Sequence, residues 1–240
     1  MGSALRITSD NVNIRPIWSN DGQHVIYYKG APTETGQIIS APIDGGPSTA
    51  LTSEAVFPDS VSPDDKFLIG NSGGDIAGAG GRTVSILSIQ DTPSSGSNSR
   101  VLDLKFAGTD AQFSPDGKFI AYQSRETGRP EIYVRAYPGP GGKTTISTEG
   151  GITPRWSRSG ELFYRNGDKI MAVEIQTSPV FRAGKPKVLF EKPYGNGYDV
   201  TRDGARFLMI KSNDARAPAP EQLNVVLNWF EELRSRVAGK

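Results

Sequence analysis

The segment Ala111-Gln112-Phe113-Ser114-Pro115-Asp116-Gly117 decides the fold class, because four more segments of the chain repeat its pattern. Serine can cap a turn through its hydroxyl, proline fixes φ, aspartate adds a local acceptor, and glycine takes the positive φ that closes a tight hairpin. The other copies are 16–22 (PIWSNDG), 59–65 (DSVSPDD), 154–160 (PRWSRSG) and 198–204 (YDVTRDG). Each copy predicts a strand that ends, a turn, and a second strand.

The spacing of these copies indicates a repeat protein. The positions that close the turns, 22, 65, 117, 160 and 204, lie 43, 52, 43 and 44 residues apart. Such a period is typical of one four-stranded propeller blade. Third strands are predicted at 37–41, 83–87, 131–135 and 169–173, and fourth strands at 50–52, 100–104, 143–146 and 187–190. The sequence predicts an all-β propeller over 4–240, with repeats near 11–54, 55–105, 106–150, 151–192 and 193–228.

The two ends of the chain bear on how the ring closes. After an apolar run at 223–227, the spacing of apolar residues and the strong helix formers predict a short C-terminal helix at 229–238. The fifth repeat therefore lacks a fourth strand. Residues 4–9 resemble the fourth strands of the other repeats, so we expect them to complete the last blade and remove its open edges. This arrangement gives five blades and a monomer.

Composition excludes several classes of function. Lys and Arg number 27 against 26 Asp and Glu, so there is no one-signed field to attract nucleic acid or an anionic membrane. The chain has no cysteine, which removes disulfides, thiol nucleophiles and thiolate metal ligands but leaves the compartment open. No run approaches the roughly 20 apolar residues that span a bilayer. We therefore expect neither nucleic-acid binding nor membrane insertion.

One segment matches a catalytic motif. Residues 70–74 (GNSGG) fit the Gly-x-Ser-x-Gly nucleophile elbow, which needs a helix after the serine and a histidine later in the chain. The Gly-rich run 75–81 is a poor helix, and the one histidine, His24, precedes the motif. Internal alignment sets His24 opposite Phe67 and Phe119, at a packing position. We expect no catalytic residue, and a hydrolase using Ser72 is the alternative.

The carboxylates and glycines give no cofactor site. Most aspartates belong to the turn pattern, as with Asp21, Asp64, Asp116 and Asp203. No segment alternates oxygen ligands as a calcium loop does, and no Gly-rich loop connects a strand to a helix as nucleotide binding requires. The sequence predicts no metal and no cofactor.

The repeat units resemble a known family. Residues 18–22 (WSNDG) and 113–117 (FSPDG) are similar to the PD40 repeats of bacterial TolB-like propellers, which are related to WD40-like repeats, and the resemblance covers nearly the whole chain. The ending 223–233 (LNVVLNWFEEL) resembles the tail of propeller regions fused to bacterial serine/threonine kinases. Most TolB-like propellers have six blades, so a six-bladed parent that lacks its first blade is the alternative to five. The resemblance implies recognition of a protein or small ligand, a periplasmic or extracytoplasmic location, and no fixed catalytic residues.

A ligand surface is predicted on one face of the propeller. The loops that enter each first strand and those between second and third strands share a face, and loops on a rigid scaffold concentrate function. The predicted ligand-binding residues on this face are Arg15, Asp59, Asp110, Arg155, Tyr198 and Asp199 near the axis, and Arg129 further out. Their mixed charge favours a protein or peptide partner, so we expect a non-catalytic binding or scaffold propeller, such as the sensor region of a signalling protein. The alternative is a hydrolase, or the accessory propeller of a prolyl-oligopeptidase-like peptidase.

Overall fold

The computed structural model describes residues 6–8, 12–30, 36–52, 56–72, 82–89, 101–139, 141–195 and 197–210. The chain divides into two compact units, 12–212 and a second unit of 1–11 with 213–240. The predicted run 223–227 and helix 229–238 lie outside the described residues. Of the predicted closing strand 4–9, only 6–8 are described, and these three residues are not in a strand.

The unit 12–212 is built from antiparallel sheets that follow one another along the chain. The first sheet contains β1 (Asn13–Trp18), β2 (His24–Lys29), β3 (Gln37–Pro42) and β4 (Thr49–Thr52). The second contains β5 (Phe57–Val61), β6 (Phe67–Ser72), β7 (Thr83–Ser88) and β8 (Val101–Ala107). The third contains β9 (Thr109–Phe113), β10 (Phe119–Ser124), β11 (Glu131–Ala136) and β12 (Lys143–Thr145). Each sheet has its strands in chain order.

The fourth and fifth repeats differ from this plan at their outer strands. The fourth sheet contains β13 (Ile152–Trp156), β14 (Glu161–Asn166) and β15 (Lys169–Gln176), and β15 pairs with both β16 (Arg182–Ala183) and β17 (Lys187–Glu191). The fifth repeat contributes a hairpin of β18 (Tyr198–Val200) and β19 (Phe207–Met209). Among the described residues there is no helix, and hence none that could cross a membrane.

The turn between first and second strands forms as the repeat pattern predicts. Ser114 Oγ donates to Asp116 Oδ1 at 2.6 Å and accepts the backbone N–H of Phe119 at 2.9 Å. Gly117 closes the turn at a φ of 71°. The second repeat has Asp65 at this position, and Asp65 takes a φ of 54° that glycine would adopt more easily. In the first, second, third and fifth repeats the turn hydroxyl donates to the turn aspartate, and in the fourth repeat Ser157 pairs with Ser159 instead.

The sheets stack around a common axis. The first strands β1, β5, β9, β13 and β18 contact their successive neighbours. Between the sheets lie apolar clusters: Ile69 and Val84 pack with Phe113 and Tyr133, for example, between the second and third sheets. Similar clusters join first to second, third to fourth, and fourth to fifth. The described part of the chain is an all-β propeller of mainly four-stranded sheets, which confirms the predicted fold class, while the count of five blades and the C-terminal helix stay predictions.

Candidate functional site

A bulge near the start of four of the five first strands positions most of the predicted site residues. The registers of β1, β5, β9 and β13 each shift by one residue there. Four residues before the turn hydroxyl, Arg15, Asp110 and Thr153 have φ values of 53°, 52° and 54°, and Gly197 has 96°. The second repeat has Pro58 at this position, and a proline ring does not allow positive φ. Bulges turn side chains away from their regular direction, and here they do so beside the axis.

Asp59 joins the first three repeats. Its Oδ1 lies 3.2 Å from Arg15 Nη1, and its Oδ2 accepts hydrogen bonds from Asn71 Nδ2 at 2.9 Å and from the backbone N–H of Ala111 at 3.2 Å. The side chain of Asp59 is only 4% exposed. Its backbone oxygen accepts a further bond from Gln112 Nε2 at 2.8 Å. Asp59 therefore supports the scaffold, and little of its carboxylate is left for a ligand.

The surroundings of Asp59 disfavour the ionised form of its carboxyl group. Burial raises the pKa of Asp59 to about 6, and the negative charge of Asp110 acts in the same direction. The hydrogen bond from Asn71 and the positive charge of Arg15 act against this rise. Asp110 itself is half-buried and accepts a hydrogen bond from Thr109 Oγ1 at 3.1 Å. Near neutral pH, an ionised Asp59 thus reduces the stability of the fold.

A second group of predicted residues lies where the fourth and fifth repeats meet. Arg155 Cζ is 6.0 Å from the centre of the Tyr198 ring, and Arg155 Nε is 3.9 Å from Asp199 Oδ1. Tyr198 is buried, and its hydroxyl donates to the backbone oxygen of Thr153 at 2.9 Å. Burial raises the pKa of Tyr198, so the phenol stays neutral. Arg155 therefore has a cation–π contact with the buried Tyr198 ring and an ion pair with the exposed Asp199.

A cavity of about 180 Å³ lies on the axis between the first strands. Two predicted residues, Arg155 and Asp199, line it. Other lining residues include Ser60, Gln112 and Trp156 from the strands, and Asn20, Arg158 and Arg202 from the turns. Arg158 and Arg202 were not among the predicted site residues, because both belong to turns of the repeat pattern. The sequence does contain a signal for them, because both residues directly follow the turn hydroxyl of their repeat.

Arg129 is not part of this cavity. Its Nε lies 2.6 Å from Glu131 Oε1, and its Nη2 donates to the backbone oxygen of Thr148. Glu131 is buried and also accepts the backbone N–H of Gly150 at 3.0 Å. Arg129 and Glu131 thus fasten the segment that leads from the third sheet into the fourth. The structure brings the predicted residues together as two groups, Arg15–Asp59–Asp110 and Arg155–Tyr198–Asp199, with Arg129 apart.

The residues of the alternative hydrolase site lie at opposite ends of equivalent strands. His24 is the first residue of β2 and Ser72 the last of β6, and the alignment sets His24 level with Phe67. Five strand residues separate the two levels, about 17 Å along the strand direction. The side chain of His24 is 42% exposed, with Nδ1 4.0 Å from Asp21 Oδ2, so the predicted packing position of His24 is wrong. Its place next to the turn, at the end of the sheet, leaves it partly exposed.

The described residues also contain no group of three or more His, Asp and Glu side chains placed to hold a metal ion. Carboxylates in the turns accept hydrogen bonds from hydroxyls and backbone N–H groups. The hydroxyl of Thr201, for instance, donates to Asp203 and lowers the pKa of Asp203, and Ser62 acts on Asp64 in the same way.

Solved structures with the same architecture include two TolB proteins. TolB from Acinetobacter baumannii matches with a TM-score of 0.61 at 16% identity, over 81% of this chain and 47% of that one. A putative TolB from Agrobacterium tumefaciens matches with a TM-score of 0.54 at 20% identity, over 72% of this chain and 63% of that one. The chain thus spans about half to two thirds of these proteins. Its fold is that of a TolB-type β-propeller.

The same fold also occurs in an enzyme. Oligogalacturonate lyase from Vibrio parahaemolyticus matches with a TM-score of 0.59 at 10% identity, over 88% of this chain and 62% of that one. No protein-family model matches the sequence, and a search of the curated proteins finds no match. These likenesses concern the fold, and function has to be argued from the site.

Proposed function

We propose that the protein is a non-catalytic binding propeller that recognises a protein or peptide at its axis. The observation that carries this proposal is the axial cavity, whose walls present hydrogen-bonding side chains from rigid first strands. Arg155 and Asp199 are the proposed contact residues in the cavity. Arg15 and Asp110, at the starts of the first strands, are the proposed contacts around the mouth on that side.

The chemistry of the cavity suits a peptide. A peptide backbone offers one donor and one acceptor for each residue, and the cavity offers both kinds of partner. Arg155 is three-quarters buried, so its guanidinium is partly desolvated. Hydrogen bonds to a charged group of this kind are stronger than those between neutral groups. Asp199 is 69% exposed and can accept a donor from the ligand.

Two predicted residues act in this proposal as supports for the contacts. Tyr198 has its hydroxyl bonded to Thr153 and its ring beneath Arg155, so it fixes where the guanidinium lies. Asp59 is buried between repeats and holds Arg15 on the axial side. A ligand would touch Arg15 and Arg155 more than the two residues that position them.

The hydrolase alternative receives no support from the described residues. The levels of His24 and Ser72 differ by about 17 Å, whereas a nucleophile and its base need hydrogen-bonding distance. A role as accessory propeller of a peptidase requires a catalytic domain and is the weaker candidate here.

Selection from a random peptide library tests the proposal. Peptides that bind the whole chain would be isolated, and their affinities measured by calorimetry for the natural protein and for Arg155→Ala. We expect affinity to fall about tenfold or more, as for a lost hydrogen bond to a charged group. The control is Arg182→Ala, because Arg182 is exposed on β16 at the outer side of the fourth sheet. Equal losses in both variants, or none in either, would contradict an axial site.

A further inference from the structure

The side chains that line the axial cavity include more positive than negative groups. Three guanidinium groups, those of Arg155, Arg158 and Arg202, line the cavity together with one carboxylate, that of Asp199. Asp199 lies near Arg155, at 3.9 Å. Within the described residues, neither Arg158 nor Arg202 forms an ion pair with a carboxylate. The cavity lining therefore has an excess of positive charge.

The repeat pattern explains why neither arginine pairs with a carboxylate of its own turn. Arg202 precedes the turn aspartate Asp203, whose Oδ1 is occupied by Thr201 Oγ1 at 2.5 Å and by the backbone N–H of Ala205 at 3.0 Å. The fourth repeat has Ser159 where the first, second, third and fifth have aspartate, so Arg158 has no adjacent carboxylate in the turn. Ser159 Oγ bonds to Glu161 Oε2 at 3.2 Å.

The backbones that carry the two arginines are fixed to each other. The backbone N–H of Arg158 donates to the backbone oxygen of Arg202 at 2.6 Å. Arg202 Nη2 donates to the backbone oxygen of Asn20 at 2.6 Å, which leaves other guanidinium N–H groups of Arg202 available. Both side chains are exposed at the cavity end. Two guanidinium groups on adjoining turns can therefore converge on one anion.

The cavity wall beside the arginines is held in place. Trp156 Nε1 donates to the backbone oxygen of Gln112 at 3.2 Å, and Gln112 Nε2 donates to the backbone oxygen of Asp59. Pro63 and Pro115 form part of the lining on the other side. Fixed walls reduce the entropy lost when a ligand binds.

We propose that the turn-side end of the axial cavity is an anion subsite, in which Arg158 and Arg202 bind a carboxylate group of the ligand. Guanidinium matches a carboxylate in shape and charge and can bind it through two parallel hydrogen bonds. The carboxylate belongs to an acidic peptide or to a free dicarboxylate, since the two sources share this chemistry. The inference rests on the proposed function, because it places the ligand in the same axial cavity.

Calorimetry with defined probes tests the subsite. The probes are a tetraglutamate peptide with blocked ends, its glutamine counterpart, and glutarate. We expect the acidic peptide to bind and its glutamine counterpart to bind at least about tenfold more weakly, as for the loss of charge-assisted hydrogen bonds. The double variant Arg158→Gln with Arg202→Gln should lose binding by a similar factor. The matched control is Arg182→Gln with Lys185→Gln, which removes the same charge from exposed positions at the fourth sheet.

Single variants keep the test valid if the double variant unfolds. Arg158→Gln removes a guanidinium that makes no hydrogen bond or ion pair with its side chain among the described residues. Arg202→Lys keeps the charge and should retain part of the affinity. If glutarate binds through the two arginines and the peptide does not, the subsite stands with a small dicarboxylate as its ligand. Equal binding of the glutamate and glutamine peptides, or equal losses in the control, would overturn the subsite.

The outcome also separates the subsite from the proposed function. Suppose that Arg155→Ala weakens the binding of library-selected peptides, while changes at Arg158 and Arg202 leave the affinity for the acidic probe unchanged. The axial binding site is then supported and the anion subsite is wrong. If changes at Arg158 and Arg202 weaken the binding of the acidic probe, while Arg155→Ala leaves the affinity for the selected peptides unchanged, the subsite is supported and the peptide site is wrong.

Discussion

Arg202 Nη2 donates a 2.6 Å hydrogen bond to the backbone oxygen of Asn20, and the two residues are 182 positions apart in the chain. Each directly follows the turn hydroxyl of its repeat, the fifth and the first. Turns of consecutive repeats meet in the same way, because Asn20 Nδ2 donates to the backbone oxygen of Ser62 at 2.6 Å. The first and fifth repeats are thus neighbours at the axis. This contact supports a ring of five blades, which stays a prediction.

If the ring closes with five blades, Arg202→Ala should destabilise the protein. The variant removes a hydrogen bond between the first and fifth repeats, and we expect it to lower the free energy of unfolding by about 0.5–1.5 kcal/mol. Urea unfolding followed by circular dichroism measures the change. Arg182→Ala is the control, because Arg182 is an exposed residue of β16. The same loss in both variants would show that the contact with Asn20 contributes nothing.

Deletion of residues 1–10 tests the predicted closing strand. If residues 4–9 complete the last blade, their removal exposes a sheet edge whose unpaired N–H and C=O groups favour association. The unfolding temperature should fall, and light scattering should detect oligomers. An unchanged midpoint with an unchanged monomeric mass would favour the six-bladed parent that lacks one blade.

Asp59 should make stability depend on pH in a mildly acidic window. Its pKa is raised from 3.8 to about 6 in the folded protein, so the folded state holds the proton more tightly than the unfolded chain. The contribution is fully present below the unfolded pKa and is lost as pH rises through about 6. The whole loss amounts to about 3 kcal/mol. Unfolding free energies across this window should decrease with rising pH.

Asp59→Asn is the variant that isolates this effect. Asparagine does not titrate, so the decrease in stability across the window should disappear, whatever the variant's own stability is. Asp64 and Asp203 have lowered pKa values, so their contributions are lost only as pH falls below the ordinary range of carboxylates. An identical pH dependence in the natural protein and in Asp59→Asn would show that Asp59 titrates normally.

Ester hydrolysis tests the alternative enzyme class. Because His24 and Ser72 lie at opposite ends of equivalent strands, we expect no turnover of short acyl esters above background. Ser72→Ala should therefore change nothing. Turnover by the purified protein that Ser72→Ala abolishes, with the fold intact, would contradict the binding-only account.

The fold could be predicted because its decisive chemistry is local. Ser114, Asp116 and Gly117 form their turn from contacts within a few residues, and the same pattern recurs at a blade-length period. How each blade packs against its neighbours was harder to predict from the sequence. Trp18 and Trp156 share a position in the repeat, yet Trp156 bonds to Gln112 while Trp18 is 47% exposed. The sequence pattern is equal at both positions, whereas the surroundings differ.

The candidate site was predicted only in part for the same reason. Arg155 and Asp199 were expected near the axis, and both line the cavity. Asp59 was expected to face a ligand, but contacts from two other repeats bury it, and these contacts are far apart in sequence. Arg158 and Arg202 follow the turn hydroxyls Ser157 and Thr201, and a turn position alone does not indicate a binding residue. Their common place in the cavity lining depends on how the blades meet, which no single repeat encodes.

Binding of a ligand at the axis can be measured from the change in amide chemical shifts when a library-selected peptide is added to the isotope-labelled protein. We expect the largest changes at residues that line the cavity, among them Gln112, Arg155 and Asp199. Little change is expected in the outer strands β12 and β17. Changes confined to β12 or β17, with the cavity residues unaffected, would rule out an axial binding site.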